Sequence, residues 1–359
     1  MKKANFILLI FYFALLSCTK DRIFQEESMT PYELKIPSHF PDMPIPTDNP
    51  MTVEGVELGR KLFYDKILSQ DYSISCGSCH QPNSSFSDPN QFSAGVNGSL
   101  GNRQSMALVN LGWQTSYFWD GRAQTLEEQI LEPVPNPIEM HLLWQDAITR
   151  LKTHDEYPLL FLKAFGEEEI TKEKTAKAIA QFIRTMISGN SKYDVMYKFQ
   201  NSLPLSVSDQ ELLSEVTAEE WAGMDLFFSL TGGDCVHCHN GPLMHVNIFA
   251  NNGLDQNFED QGRYLVTGNT NDIGKFKVPT LRNIEYSAPY MHDGRFETLD
   301  EVIMHYSFGI QNSPTLDPMI EFASQGGVQL DLQERELIVT FLKTFTDLTF
   351  INNPEFRQP

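Results

Sequence analysis

Cys76-Gly77-Ser78-Cys79-His80 and Cys235-Val236-His237-Cys238-His239 repeat one pattern, Cys-x-x-Cys-His, and take four of the five cysteines in the chain. Two thiols at this spacing can form thioethers with the vinyl groups of a porphyrin, and the adjacent imidazole is then placed on the iron. The chain therefore reads as carrying two covalent c-type haems, through Cys76, Cys79, Cys235 and Cys238, with His80 and His239 as axial ligands. A zinc site could use the same four thiolates, and a single copy could be a redox pair. Neither gives a reason for His at both fifth positions.

The elements that must position these groups read as mainly helical. Met51 to Asp65 carries Val56, Leu58, Leu62 and Phe63 at helical spacing ahead of the first motif. Ala176, Ile179, Ala180, Ile183, Met186 and Ile187 form a second apolar stripe. Thr217 with Glu220, and Asp331 with Glu334, have the spacing of capping boxes at two further helix starts. Strand alternation is scarce. The layout of helix, motif, long loop and closing helix occurs twice. It predicts an all-α chain of two cytochrome c-like haem domains around an interdomain site, residues 51–205 and 206–350.

The chain has 359 residues, 41% of them hydrophobic, which suits two globular domains. Its 27 basic and 47 acidic residues give a net charge of −20, which argues against nucleic acid or an anionic membrane surface as partner. Lys2 and Lys3 followed by the apolar run Phe6 to Leu16 read as an export signal over residues 1–18, too short for a comfortable membrane span. Leu15-Leu16-Ser17-Cys18 resembles a bacterial lipobox, which makes Cys18 the lipidated first residue. Pro-rich residues 19–50 read as a tether or strap. The expected location is the bacterial periplasm or cell envelope, with membrane attachment through the lipid only.

Three further segments carry a resemblance. Tyr117-Phe118-Trp119-Asp120-Gly121-Arg122 with Asn136-Pro137-Ile138-Glu139-Met140, Val278-Pro279-Thr280-Leu281-Arg282-Asn283, and Ala288-Pro289-Tyr290-Met291-His292-Asp293-Gly294 are similar to the bacterial dihaem cytochrome c peroxidases. The likeness runs from about residue 50 to 346. It implies that the first haem is the hydrogen peroxide site and the second receives electrons. It further implies Glu139 as distal acid/base, Trp119 as the relay between haems, and one calcium ion held by Gln104, where Asn is usual, with Ser287 and Pro289. A carboxylate over the iron suits the chemistry, because it can move a proton from the near peroxide oxygen to the far one so that water leaves.

Two departures from the family pattern matter. Val96 stands where many members carry a His that blocks the first iron, and no His occurs between His80 and His141. Tyr306 stands where typical members carry an axial Met for the second haem, which is the pattern of the MauG-like branch. Met304, His305 and Met291 are the alternative ligands. The expected activity is peroxide reduction with a small cytochrome or cupredoxin as donor. The alternatives are oxidation of residues in a partner protein, a non-catalytic dihaem electron carrier, and a zinc-stapled binding module. A homodimer is compatible with the resemblance. His39, His141, His154, His237 and His245 have no motif support and read as surface or structural.

Overall fold

The computed structural model describes residues 29–359 apart from Glu321. The expected export signal, Cys18 and the start of the tether lie outside the described residues. Among the described residues no helix is long and apolar enough to cross a membrane.

Helices form where apolar spacing and caps coincide. Val53–Tyr64 starts at Thr52, whose hydroxyl accepts the Gly55 N–H, and buries Leu58, Leu62 and Phe63. Lys172–Arg184 carries the central stripe, and Met186 stays buried just past its end. Both capping boxes form, Thr217/Glu220 opening Ala218–Phe228 and Asp331/Glu334 opening Leu332–Lys343. The first two of these helices pack on each other, and so do the last two. Sheet is confined to one antiparallel pair, Phe249–Ala250 with Phe276–Lys277, in which Phe249 lies opposite Lys277.

Two apolar cores result. The first gathers Leu62, Phe63, Leu126, Phe161 and Phe182, and takes Phe350, Ile351 and Phe356 from the carboxyl end of the chain. The second gathers Met224, Phe227, Ile303, Phe341 and Phe345, and takes Tyr193 and Met196 from the helix Lys192–Gln200. Residues 34–45 form a packed strap. Phe40 and Met43 bury against Trp113, with Ile187 and Leu243 alongside. Within it the His39 ring lies 2.6 Å from Asp194 Oδ1, and Asp194 accepts two bonds from Arg282, at 2.6 and 2.7 Å. All three side chains are buried.

Residues 103–130 and 276–303 repeat one another register by register. Asn110 and Asn283 both take positive φ before a short 3-10 turn. Phe118 and Met291, then Gly121 and Gly294, also share positive φ. Tyr117 bridges to Ala123 as Tyr290 does to Phe296. Thr125 with Glu128 and Thr298 with Glu301 form matching capping boxes, which open Leu126–Leu131 and Leu299–Met304. In this register Gln104 corresponds to Lys277 and Trp119 to His292, and the same offset carried three residues past the repeat sets Pro133 against Tyr306.

Candidate haem and peroxide site

One cavity of about 720 Å³ is lined by both pentapeptides, with Cys76, Cys79 and His80 from the first and Cys235, Cys238 and His239 from the second. The four thiols are unbridged. Burial raises Cys76 and Cys235 to about 12 and Cys79 and Cys238 to about 11. A redox Cys-x-x-Cys needs the opposite, a lowered thiol pKa. Among the described residues no three His, Cys, Asp or Glu side chains converge as metal ligands, so the cysteines do not form one tetrahedral zinc site.

Both motif histidines are held by a backbone carbonyl. His80 Nδ1 lies 2.8 Å from the Phe86 carbonyl oxygen and His239 Nδ1 lies 3.3 Å from that of Met244. A carbonyl only accepts, so Nδ1 carries the proton and the lone pair is left on Nε2. Burial lowers both imidazoles, His239 to about 4, which favours the neutral ligating form. Thiols, oriented imidazoles and a cavity that joins them fit two covalently attached haems.

Glu139 also lines the cavity, at the end of a turn that its own segment builds. Its N–H donates to Asn136 O at 3.0 Å, and the Asn136 side-chain amide donates to Glu139 Oε1 at 2.6 Å. The Val96 N–H donates to Glu139 O at 2.8 Å. This approach needs glycine at position 95, since a Cβ there would sit 2.2 Å from Ile138 O and 2.7 Å from Glu139 O. Burial raises the Glu139 carboxyl above its usual range, and the Asn136 bond and the Arg122 charge only partly offset it. The Val96 side chain is buried and is not among the cavity-lining residues.

In the second half the helix Leu299–Met304 continues into a π-helical turn, His305–Gly309. Such turns redirect side chains and recur at functional sites. Tyr306 lines the cavity. Its hydroxyl accepts from Asn252 Nδ2 at 3.3 Å, and the same amide lies 3.5 Å from Met291 Sδ. Burial pushes the phenol up to about 12. Of the alternative ligands only Met291 also lines the cavity. Met304 is exposed with its sulfur 3.1 Å from Arg335, and His305 bonds the Asn252 carbonyl at 3.2 Å off the cavity wall.

Trp119, Gln104, Ser287, Pro289 and His292 line the same cavity. Trp119 Nε1 donates to Gln104 O at 2.8 Å, while the Gln104 side-chain amide donates to Ser87 Oγ at 2.7 Å and to Asp88 O at 3.1 Å. His292 stacks on Phe276 with ring centroids 3.7 Å apart. Of the five histidines read as surface or structural, His39 is held in the buried strap and His245 is buried, while His237 lines the cavity beside Asp234. Sequence reasoning passed over Asn136, Lys277 and His292. The Tyr-x-x-Asp-Gly-Arg repeat was the available signal for His292.

Known proteins are similar to this chain over most of its length. A family model described as di-haem cytochrome c peroxidase matches residues 53–202. The chain is 33% identical over 327 residues to the cytochrome c551 peroxidase of Nitrosomonas europaea, covering 89% of this chain and 86% of the relative. It is 33% identical over 305 residues to the methylamine utilization protein MauG of Methylorubrum extorquens, covering 84% and 81%. A solved MauG-like protein associated with microbial copper homeostasis superposes with a TM-score of 0.80 at 31% identity, over 91% of this chain and 99% of that one.

Proposed function

The chain belongs to the dihaem cytochrome c peroxidase family, and from that premise we propose that it reduces hydrogen peroxide to water with electrons from a small redox protein. In this reading Cys76 and Cys79 anchor one haem with His80 as proximal ligand. Cys235 and Cys238 anchor the other, between His239 and Tyr306. When bound, the haems supply redox-active iron for cleaving the O–O bond and for passing electrons.

The observation that carries the reading is an asymmetry between two repeated halves. Where the second half presents Tyr306 to the cavity, the first presents Pro133, which has no side-chain donor atom. Val96 adds none, so the side opposite His80 is left for peroxide. Glu139 then works as acid and base there. It accepts the proton of the near peroxide oxygen and returns it to the far one. Asn136 fixes Oε1, and burial brings the carboxyl toward a pH at which it can do both.

Trp119 relays electrons between the two sites, and Gln104, Ser287 and Pro289 hold a calcium ion at the junction. Cys18 carries the lipid that keeps the protein at the bacterial cell envelope. A plain electron carrier would need a second side-chain ligand on the first iron, and in this reading Pro133 and Val96 carry no side-chain donor atom to supply it. The test is Glu139→Gln, which keeps shape and removes the proton shuttle. Peroxide turnover should fall by roughly 100-fold or more with two haems per chain retained. An unchanged rate assigns the proton transfer to another residue.

A second reading is oxidation of residues in a partner protein. The observation in its favour is the phenol of Tyr306 at the second site, since an oxygen donor favours higher iron oxidation states than a thioether does. Brisk oxidation of reduced cytochrome c or cupredoxin under peroxide would select the first reading.

A further inference from the structure

Three lysine and arginine side chains line the cavity, Arg103, Arg122 and Lys277. Arg103 is held by Asp120 at 2.6 Å and Asp260 at 2.7 Å. Arg122 is held by Glu132 at 2.6 Å and Asp120 at 3.2 Å. Lys277 is only 2% exposed, yet among the described residues its ammonium has no hydrogen-bond or ion-pair partner. The Arg263 charge acts on it and repels it.

Leaving a buried charge unpaired costs several kcal/mol. Burial and Arg263 lower the ammonium to about 8, and an anion beside it would offset that penalty on the charged form. The repeated architecture sharpens the point. Gln104 occupies the same register in the first half, and its side chain is satisfied by Ser87 and Asp88. The second half places a cation at that position, and among the described residues no carboxylate of the cavity wall comes within ion-pair reach of it.

The position also says which site it serves. His245, buried with neither ring nitrogen partnered, feels the charges of both Lys277 and His239. Lys277 therefore belongs to the second motif's side of the cavity. Haem carries two carboxylates at the end opposite its vinyl groups, and thioether bonds to Cys235 and Cys238 fix the vinyl end. We propose that Lys277 is a cofactor-binding residue, whose ammonium pairs with a carboxylate of the haem attached at Cys235 and Cys238. The proposal rests on the dihaem reading and adds an electrostatic role. A fixed positive charge beside the second haem favours its ferrous form. The same residue grips Trp119 through its backbone N–H at 2.7 Å.

The test is a redox titration of the second haem, followed optically, in wild type, Lys277→Met and Lys277→Arg, with haem counted by the pyridine haemochrome assay. With two haems per chain throughout, the Met variant should shift to lower potential and the Arg variant should return toward wild type. An unmoved potential in the Met variant, or equal shifts in both, overturns the pairing. So does loss of one haem from both variants, which would make the residue one of shape rather than charge. A wild-type chain with fewer than two haems would instead remove the dihaem reading itself.

Discussion

The backbone N–H of Lys277 donates to the carbonyl oxygen of Trp119 at 2.7 Å, and the equivalent residues of the other half repeat the contact, Gln104 N–H to His292 O at 2.8 Å. The two halves thus clasp each other through matching positions. Trp119 has a second tie, from its Nε1 to Gln104 O. Trp119→Phe should slow donor oxidation while leaving the first reaction with peroxide largely intact, which rapid mixing with and without donor separates. Loss of the Nε1 bond should cost about 1 kcal/mol of stability. Equal slowing of both reactions would mean that Trp119 only shapes the site.

Asn136 is expected to set the pH range of the site. Glu139 must be ionised to accept a proton, so the acidic limb of kcat/KM rises with pH through its pKa. Burial raises that pKa and the Asn136 bond lowers it. Asn136→Ala removes the lowering contact, and the acidic limb should move to higher pH. A pH–rate profile with an unmoved limb would show that another group controls it.

Tyr306→Met should raise the reduction potential of the second haem, because a thioether favours the ferrous iron that a phenolate disfavours. Tyr306→Phe should leave that iron without the oxygen donor and change its ligand-field spectrum. If the wild type already shows a His/Met spectrum, Met291 is the ligand, since it is the alternative that reaches the same cavity.

Asp194 ties the strap to the second half. Burial alone would raise its carboxyl, but Arg282, with help from His39, holds it well below the usual carboxylate range. A depressed folded pKa adds stability that is present above the unfolded pKa of about 3.9 and is lost as pH falls through the folded value. Thermal melts should therefore weaken below about pH 4. Asp194→Ala strands Arg282 in the interior and should cost about 3–5 kcal/mol. A melt no lower than wild type would show that the triad is dispensable.

Local signals in the chain carried much of this structure. The haem pentapeptides, the helical stripes and the caps at Thr217 and Asp331 are written within a few residues of where they act. Tyr306 was one of four candidates because α-helical spacing does not say which residue a π turn will aim into the cavity. The His39–Asp194–Arg282 cluster joins residues far apart in sequence, so no local pattern announced it. No motif in the sequence marks Lys277. Its lack of a counter-charge is a property of the packed interior alone.

The proposed function requires a free coordination side on the iron that His80 would hold, and Pro133 and Val96 carry no side-chain donor atom to close it. The direct measurement is stopped-flow mixing of hydrogen peroxide with the fully oxidised protein. The expected result is an immediate change in the haem absorption without any prior reduction, lost or strongly slowed in Glu139→Gln. A protein that ignores peroxide until it has taken up one electron would contradict the claim, and would mean that a protein ligand closes the first site at rest.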